Sequence, residues 1–252
     1  MRFNNRIGEI SVNKFGTKMM IVKYINCEDI IVEFQDEYKY KVHTNYGAFK
    51  NGKVKNVYDR TFYGVGFLGD GCYNKTQHTK SYNSWCNMLC RCYMEPCHPA
   101  YIDCSVDEYF HNFQNFGKWF DANYYTVDNE TMCLDKDIKK RHNKIYSPTT
   151  CIFVPERLNK LFVRNEYKRG NLPIGVGQYK HTNRFIVKCN ILDEHCKQKS
   201  ICLGCFDDVD DAFIAYKYFK ESYIKSVVKD YKNKIPKEIY DIIYNYEVKI
   251  DD

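Results

Sequence analysis

Cysteine, lysine and arginine are the residues here with the most chemistry to offer, and each is clustered. Of 13 cysteines, Cys86, Cys90, Cys92, Cys97 and Cys104 fall within one short stretch that also holds His98. Such density suits zinc, which takes thiolate and imidazole ligands and favours cysteine pairs two to four residues apart. The candidate set is Cys90, Cys92, Cys97 and Cys104. Against it, Cys86 and Cys90 share one face of an expected helix and Cys92 does not. A second pair, Cys202 and Cys205, has the Cys-x-x-Cys spacing, with Cys189 and Cys196 upstream. Buried free thiols are the alternative for all of them. The basic residues form two windows. Residues 136–144 hold Lys136, Lys139, Lys140, Arg141 and Lys144 against Asp137 alone, and 167–205 hold Lys168, Arg169, Lys180, Arg184, Lys188, Lys197 and Lys199 against Asp193 and Glu194. Local excesses of this kind are the electrostatic footprint of a polyanion, or else solvated faces.

Elements must position these groups. The 252 residues are 44% hydrophobic, enough for real cores, and the net charge is only +6. No apolar run approaches the roughly 18–20 residues of a membrane span. The stretch from Met1 to Glu9 lacks the apolar core of a secretory signal, so the sequence predicts a cytoplasmic protein with reduced thiols. Three segments emerge: 1–72, 73–165 and 166–252. In the first, Met19–Tyr24 and Ile30–Phe34 flank a turn and predict a β-hairpin. The glycines from Gly64 to Gly71 read as a flexible linker. In the second, Tyr82, Trp85, Leu89 and Tyr93 predict one helix, and Val106, Tyr109, Phe113, Phe116 and Phe120 predict another, with Ser105 and Glu108 as its capping box. Strand, loop, strand and helix follow over 132–161, the helix opened by Pro155. In the third, three short strands precede a helix from Asp208 to about Lys229, and Pro236 opens a last one. The expected class is α+β, with a small N-terminal β unit, a central strand–loop–strand–helix segment preceded by helices, and a C-terminal three-stranded antiparallel sheet packed on a long helix.

Two stretches resemble known families. Gly175-Val176, Arg184-Phe-Ile-Val, Leu203-Gly-Cys-Phe206, Val209-Asp-Asp-Ala212 and Ala215-Tyr216 make the third segment similar to the APETALA2-type DNA-binding domain of phage and mobile-element endonucleases. That resemblance implies a sheet lying in the major groove of double-stranded DNA, with contacts from Gln178, Lys180, Arg184, Lys188, Lys197 and Lys199 on one exposed face. The middle segment resembles phage proteins related to the His-Asn-His (HNH) endonucleases, through Arg91-Cys-Tyr93, Cys104, Phe113–Trp119, Leu134-Asp-Lys-Asp137, Asn143, Tyr146-Ser-Pro-x-x-Cys151, Phe153-Val-Pro155 and Asn159. The resemblance implies the ββα-metal fold and a metal-dependent nicking or homing endonuclease using Mg²⁺ or Mn²⁺. Asp135, Asp137 and Asn159 would be metal ligands, Asp135, His142 and Asn143 catalytic residues, and Lys139, Lys140, Arg141 and Lys144 contacts to DNA.

The pattern departs from the family at its centre. Asp135 stands where active members carry the histidine that serves as general base, and a carboxylate is a poor base unless burial raises its pKa. His142, beside Asn143, is the other candidate base. Two functions follow: a double-stranded DNA-binding protein, nicking or retired, and a non-catalytic interaction factor with tyrosine anchors. Neither expects a small-molecule ligand or a membrane.

Overall fold

The computed structural model describes residues 6–95, 99–162, 172–179, 182–193, 196–250 and 252. The chain is mixed α and β, and it divides into two compact units. One comprises residues 1–97 and 104–121, the other 98–103 and 122–252. This division does not follow the boundaries at 72/73 and 165/166 suggested by the sequence.

The first unit begins with a four-stranded antiparallel sheet in chain order, from β1 (Ile10–Val12), β2 (Lys18–Asn26), β3 (Asp29–Phe34) and β4 (Lys41–Thr44). The expected hairpin is β2 and β3, in which Met19 lies opposite Phe34 and Ile21 opposite Val32. Alternation buries Met19, Ile21, Ile30, Val32 and Phe34 on one face, against Phe49 of the short helix α1 (Tyr46–Lys50). Helix α2 (Thr79–Tyr93) turns Trp85, Met88 and Leu89 inward. The second expected helix is interrupted. Ser105–Val106 form β5, α3 (Glu108–His111) follows, and α4 (Phe113–Asn123) restarts after Asn112. The capping box is not used: Asp107 caps α3 by accepting from the Tyr109 N–H at 2.9 Å. An Asx cap one residue before the glutamate satisfies the free amides that Ser105, already in a strand, does not reach. Phe113 packs on Trp85, whose indole N–H donates to the Phe110 carbonyl at 2.7 Å, and the Phe110 ring packs in turn on Phe116 and Trp119.

The glycine-rich stretch is not a flexible linker. The Phe67 N–H donates to the His111 carbonyl and the Phe113 N–H to that of Phe67. The Gln114 amide donates to the carbonyls of Leu68 and Tyr73 and accepts from the Tyr73 N–H, at 2.9 to 3.0 Å. A side chain at Gly66 would collide with Leu89 and Trp85, so glycine there serves close approach rather than flexibility.

The second unit carries the expected strand–loop–strand–helix. Strands β6 (Met132–Asp135) and β8 (Ile152–Pro155) pair antiparallel, Met132 opposite Pro155 and Asp135 opposite Ile152. Between them lies β7 (Ile145–Tyr146), and beyond Pro155 the one-turn helix α5 (Glu156–Asn159) runs into a 3₁₀ turn over Lys160–Phe162. The C-terminal sheet has the order β11 (Gln198–Phe206), β10 (Phe185–Leu192), β9 (Val176–Gln178), all antiparallel. Val176, Val187 and Cys189 meet Ala212 and Tyr216 of the long helix α6 (Val209–Lys229). Asp208 starts α6 by accepting from the N–H groups of Asp210 and Asp211. Farther along, Ile224, Val227 and Val228 join Ile239 and Ile243 of α7 (Lys237–Tyr244) around Ile138, Ile152, Val154, Leu158 and Leu161. One core therefore joins the strand–loop–strand–helix to the C-terminal helices. No described helix is long and apolar enough to cross a membrane.

Candidate functional site

The loop after β6 is tied by side chains to its own backbone. Asp135 ends the strand, and its Oδ1 accepts from the N–H groups of Asp137 at 2.8 Å and Ile138 at 2.7 Å. This turns the chain sharply and sends Ile138 into the core. Asn143 closes the other side. Its buried amide donates to the carbonyls of Lys136 at 2.8 Å and Ile145 at 2.6 Å, pinning both ends of the loop. Burial and the neighbouring Asp137 push the Asp135 carboxyl up to about 6, despite the two amides and the Lys136 charge that oppose the shift. Cys151 lies buried beside it, and burial raises that thiol to about 12.

Lys136, an unremarked member of the basic window, is the residue that sequence reasoning missed. Its side chain is only 8% exposed, its ammonium lies 3.0 Å from Asp137 Oδ2, and it approaches the Tyr146 ring. The missed signal was alternation: Leu134, Lys136 and Ile138 continue a period of two that buries all three. One oxygen of Asp135 rests on backbone amides and one oxygen of Asp137 on Lys136. Asn159, the expected third ligand, sits partly buried at the end of α5. Among the described residues, no group of three or more His, Cys, Asp or Glu side chains could hold a metal.

The basic loop divides by function. Arg141 is drawn inward: its guanidinium pairs with the buried Asp252 at 3.1 Å, donates to the Glu247 carbonyl and covers the Tyr246 ring. Lys139 pairs with Glu238 at 2.9 Å. Lys140, His142 and Lys144 are exposed, His142 at a left-handed φ of 54° that turns the chain. Of the four expected DNA contacts of this loop, Lys139 and Arg141 are paired, and Lys140 and Lys144 make no ion pair among the described residues.

No family model, curated protein or solved structure matches this chain.

The expected contacts of the C-terminal sheet do not share one face. Lys188 and Asn190 point away from α6, opposite Cys202 and Ser200. Lys199 lies opposite Ile191, on the side that Val187 and Cys189 occupy, at the far end of the sheet. Lys197 stands just before β11, its N–H donating to Asp193. Arg184 precedes β10 and is held by Asp207 at 2.8 Å and by the Cys205 carbonyl. Gln178 donates to the Thr182 carbonyl. Lys180, Lys168 and Arg169 lie outside the described residues, as do Cys97 and His98 of the cysteine stretch. Of the other expected zinc ligands, Cys104 is buried and Cys90 and Cys92 are partly exposed.

Proposed function

We propose that the chain is a double-stranded DNA-binding protein of phage or mobile-element type, in which an HNH-like strand–loop–strand–helix survives as a scaffold. The observation that carries this reading is the loop between β6 and β8. Asn143 and Asp135 fix its backbone from within while Lys140, His142 and Lys144 face solvent. A rigid loop presenting cations suits phosphate contacts, which position a protein on a duplex without reading its sequence. The sheet behind α6 offers Lys188, Asn190 and Ser200 on its outer face, donors and acceptors of a size to meet groove edges. Metal-dependent nicking belongs to this reading only if Asp135, whose carboxyl is pushed up to about 6, or the exposed His142 serves as base.

The second reading, a protein-interaction factor with a retired nuclease fold, draws on Arg184 being held by Asp207 and on the exposed Ile214 and Tyr218 of α6. Supercoiled plasmid with Mg²⁺ or Mn²⁺ separates the two. A shifted but intact plasmid, with the shift weakened in Lys140→Glu/Lys144→Glu, is the expected result. Open circles that vanish in Asp135→Ala and Asn143→Ala would establish a working endonuclease instead. Plasmid neither shifted nor nicked would leave the interaction factor.

A further inference from the structure

The second unit holds a lysine that the nucleic-acid reading does not use. Lys220 of α6 lines a small cavity walled by Leu161, Phe162, Ile174 and Val248 and by Tyr216 and Tyr246. Among the described residues its side-chain nitrogen makes no hydrogen bond and no ion pair. Lys217, one turn earlier on the same helix, shows the ordinary arrangement: its ammonium lies 2.7 Å from Glu221 and donates to the Val248 carbonyl at 2.8 Å. The carboxylate on the cavity wall is committed elsewhere. Asp252 is buried, pairs with Arg141 at 3.1 Å and accepts from the Tyr246 hydroxyl at 3.0 Å. Burial lowers the Lys220 amine from the usual lysine value; the nearby Cys189 opposes the shift, but burial pushes that thiol toward its own neutral form. An amine desolvated among apolar walls keeps its lone pair, and the free base is the nucleophile.

We propose that Lys220 is an imine-forming site for a short aliphatic aldehyde. The cavity has a volume of about 30 Å³, room for about two water-sized groups. That admits a two-carbon carbonyl compound and excludes a branched one. The Lys220 nitrogen attacks the carbonyl carbon, a C=N bond forms, and both amine hydrogens leave with the carbonyl oxygen as water. Nothing is oxidised or reduced. A neutral imine suits these walls. An inorganic anion would need a charged ammonium in apolar surroundings and would meet Asp252, and carbon dioxide would leave a carbamate anion there, so the cost of burying charge opposes both.

The full-length protein is treated with acetaldehyde and cyanoborohydride at pH 7, and the resulting N-ethyl lysines are mapped by peptide mass spectrometry. Lys220 should be alkylated at least about 10-fold faster than the exposed Lys140 and Lys144, and the preference should vanish in guanidinium chloride. At pH 9 the gap should narrow, because the exposed amines then lose protons more often. Pivalaldehyde, too broad for the cavity, should label the exposed lysines and spare Lys220. Lys220→Met should remove the fast labelling and leave that of the other lysines unchanged, with far-UV circular dichroism confirming its fold. The comparison of the two aldehydes uses the unaltered chain and carries the test if that variant unfolds. Equal rates at Lys220 and Lys140, a preference that survives denaturant, or pivalaldehyde labelling Lys220 as readily as acetaldehyde does would each overturn the proposal.

Discussion

Asp135 lends one carboxylate oxygen to the backbone and leaves its charge to be borne by a crowded, partly dry neighbourhood. Its carboxyl titrates at about 6 in the folded chain, against about 4 for a free aspartate. The folded state therefore holds the proton more tightly, so this group adds stability as pH falls from about 6 to about 4 and costs stability once ionised above that window. Asn at this position keeps an oxygen for the Asp137 and Ile138 amides and removes the charge. In buffer with chelator, Asp135→Asn should raise the urea midpoint at about pH 8 and leave it nearly unchanged at about pH 4. An equal gain at both would show that charge is not what the site resists. The sequence marked Asp135 and named burial as what would raise its pKa, but not the amides that hold it, nor the burial of Lys136, which looks like an ordinary member of a basic run. Arg141 was hidden for a plainer reason: Asp252, which claims it, lies 111 positions away.

The strand–loop–strand–helix and the C-terminal sheet were readable because their signals are local. β-branched runs, Pro155 before a helix and the acidic first turn of Asp210 and Asp211 each act within a few residues. What failed were features set by distant packing. The break at Asn112 lies inside an unbroken apolar periodicity, and only Phe67, pairing with the chain around it, reveals the reason. Glycines near Gly66 looked like slack because the sequence does not show Trp85 pressing on them. Gly175 makes a related demand in the C-terminal sheet. Its φ is +78°, and a side chain there would land inside the Tyr216 ring that joins β9 to α6. Gly175→Ala should lose at least about 2 kcal/mol through backbone strain and displacement of that ring. Chemical denaturation followed by far-UV circular dichroism reads the loss. A variant as stable as the parent would mean that Tyr216 does not hold the sheet.

Taken across the molecule, a net charge of +6 overstates what a duplex would meet. Lys139, Arg141 and Arg184 are already paired with acids. Of the expected contacts among the described residues, Lys140, Lys144, Lys188, Lys197 and Lys199 are exposed and make no ion pair there. If all of them met phosphates, the logarithm of affinity would fall against that of salt with a slope of about −4.5. Titrations of duplex DNA at several salt concentrations should give a slope no steeper than this, and a markedly steeper one would mean that other cations bind. The way the chain is divided carries a further consequence for its birth on the ribosome. The first unit takes back residues 104–121 after a short excursion into the second. A nascent chain released only to residue 97 would leave Trp85 without Phe113, which packs on its ring, and without the Phe110 carbonyl that takes its indole N–H. That half-finished surface is where a chaperone would find its grip during translation, and it disappears only once α4 has cleared the exit tunnel.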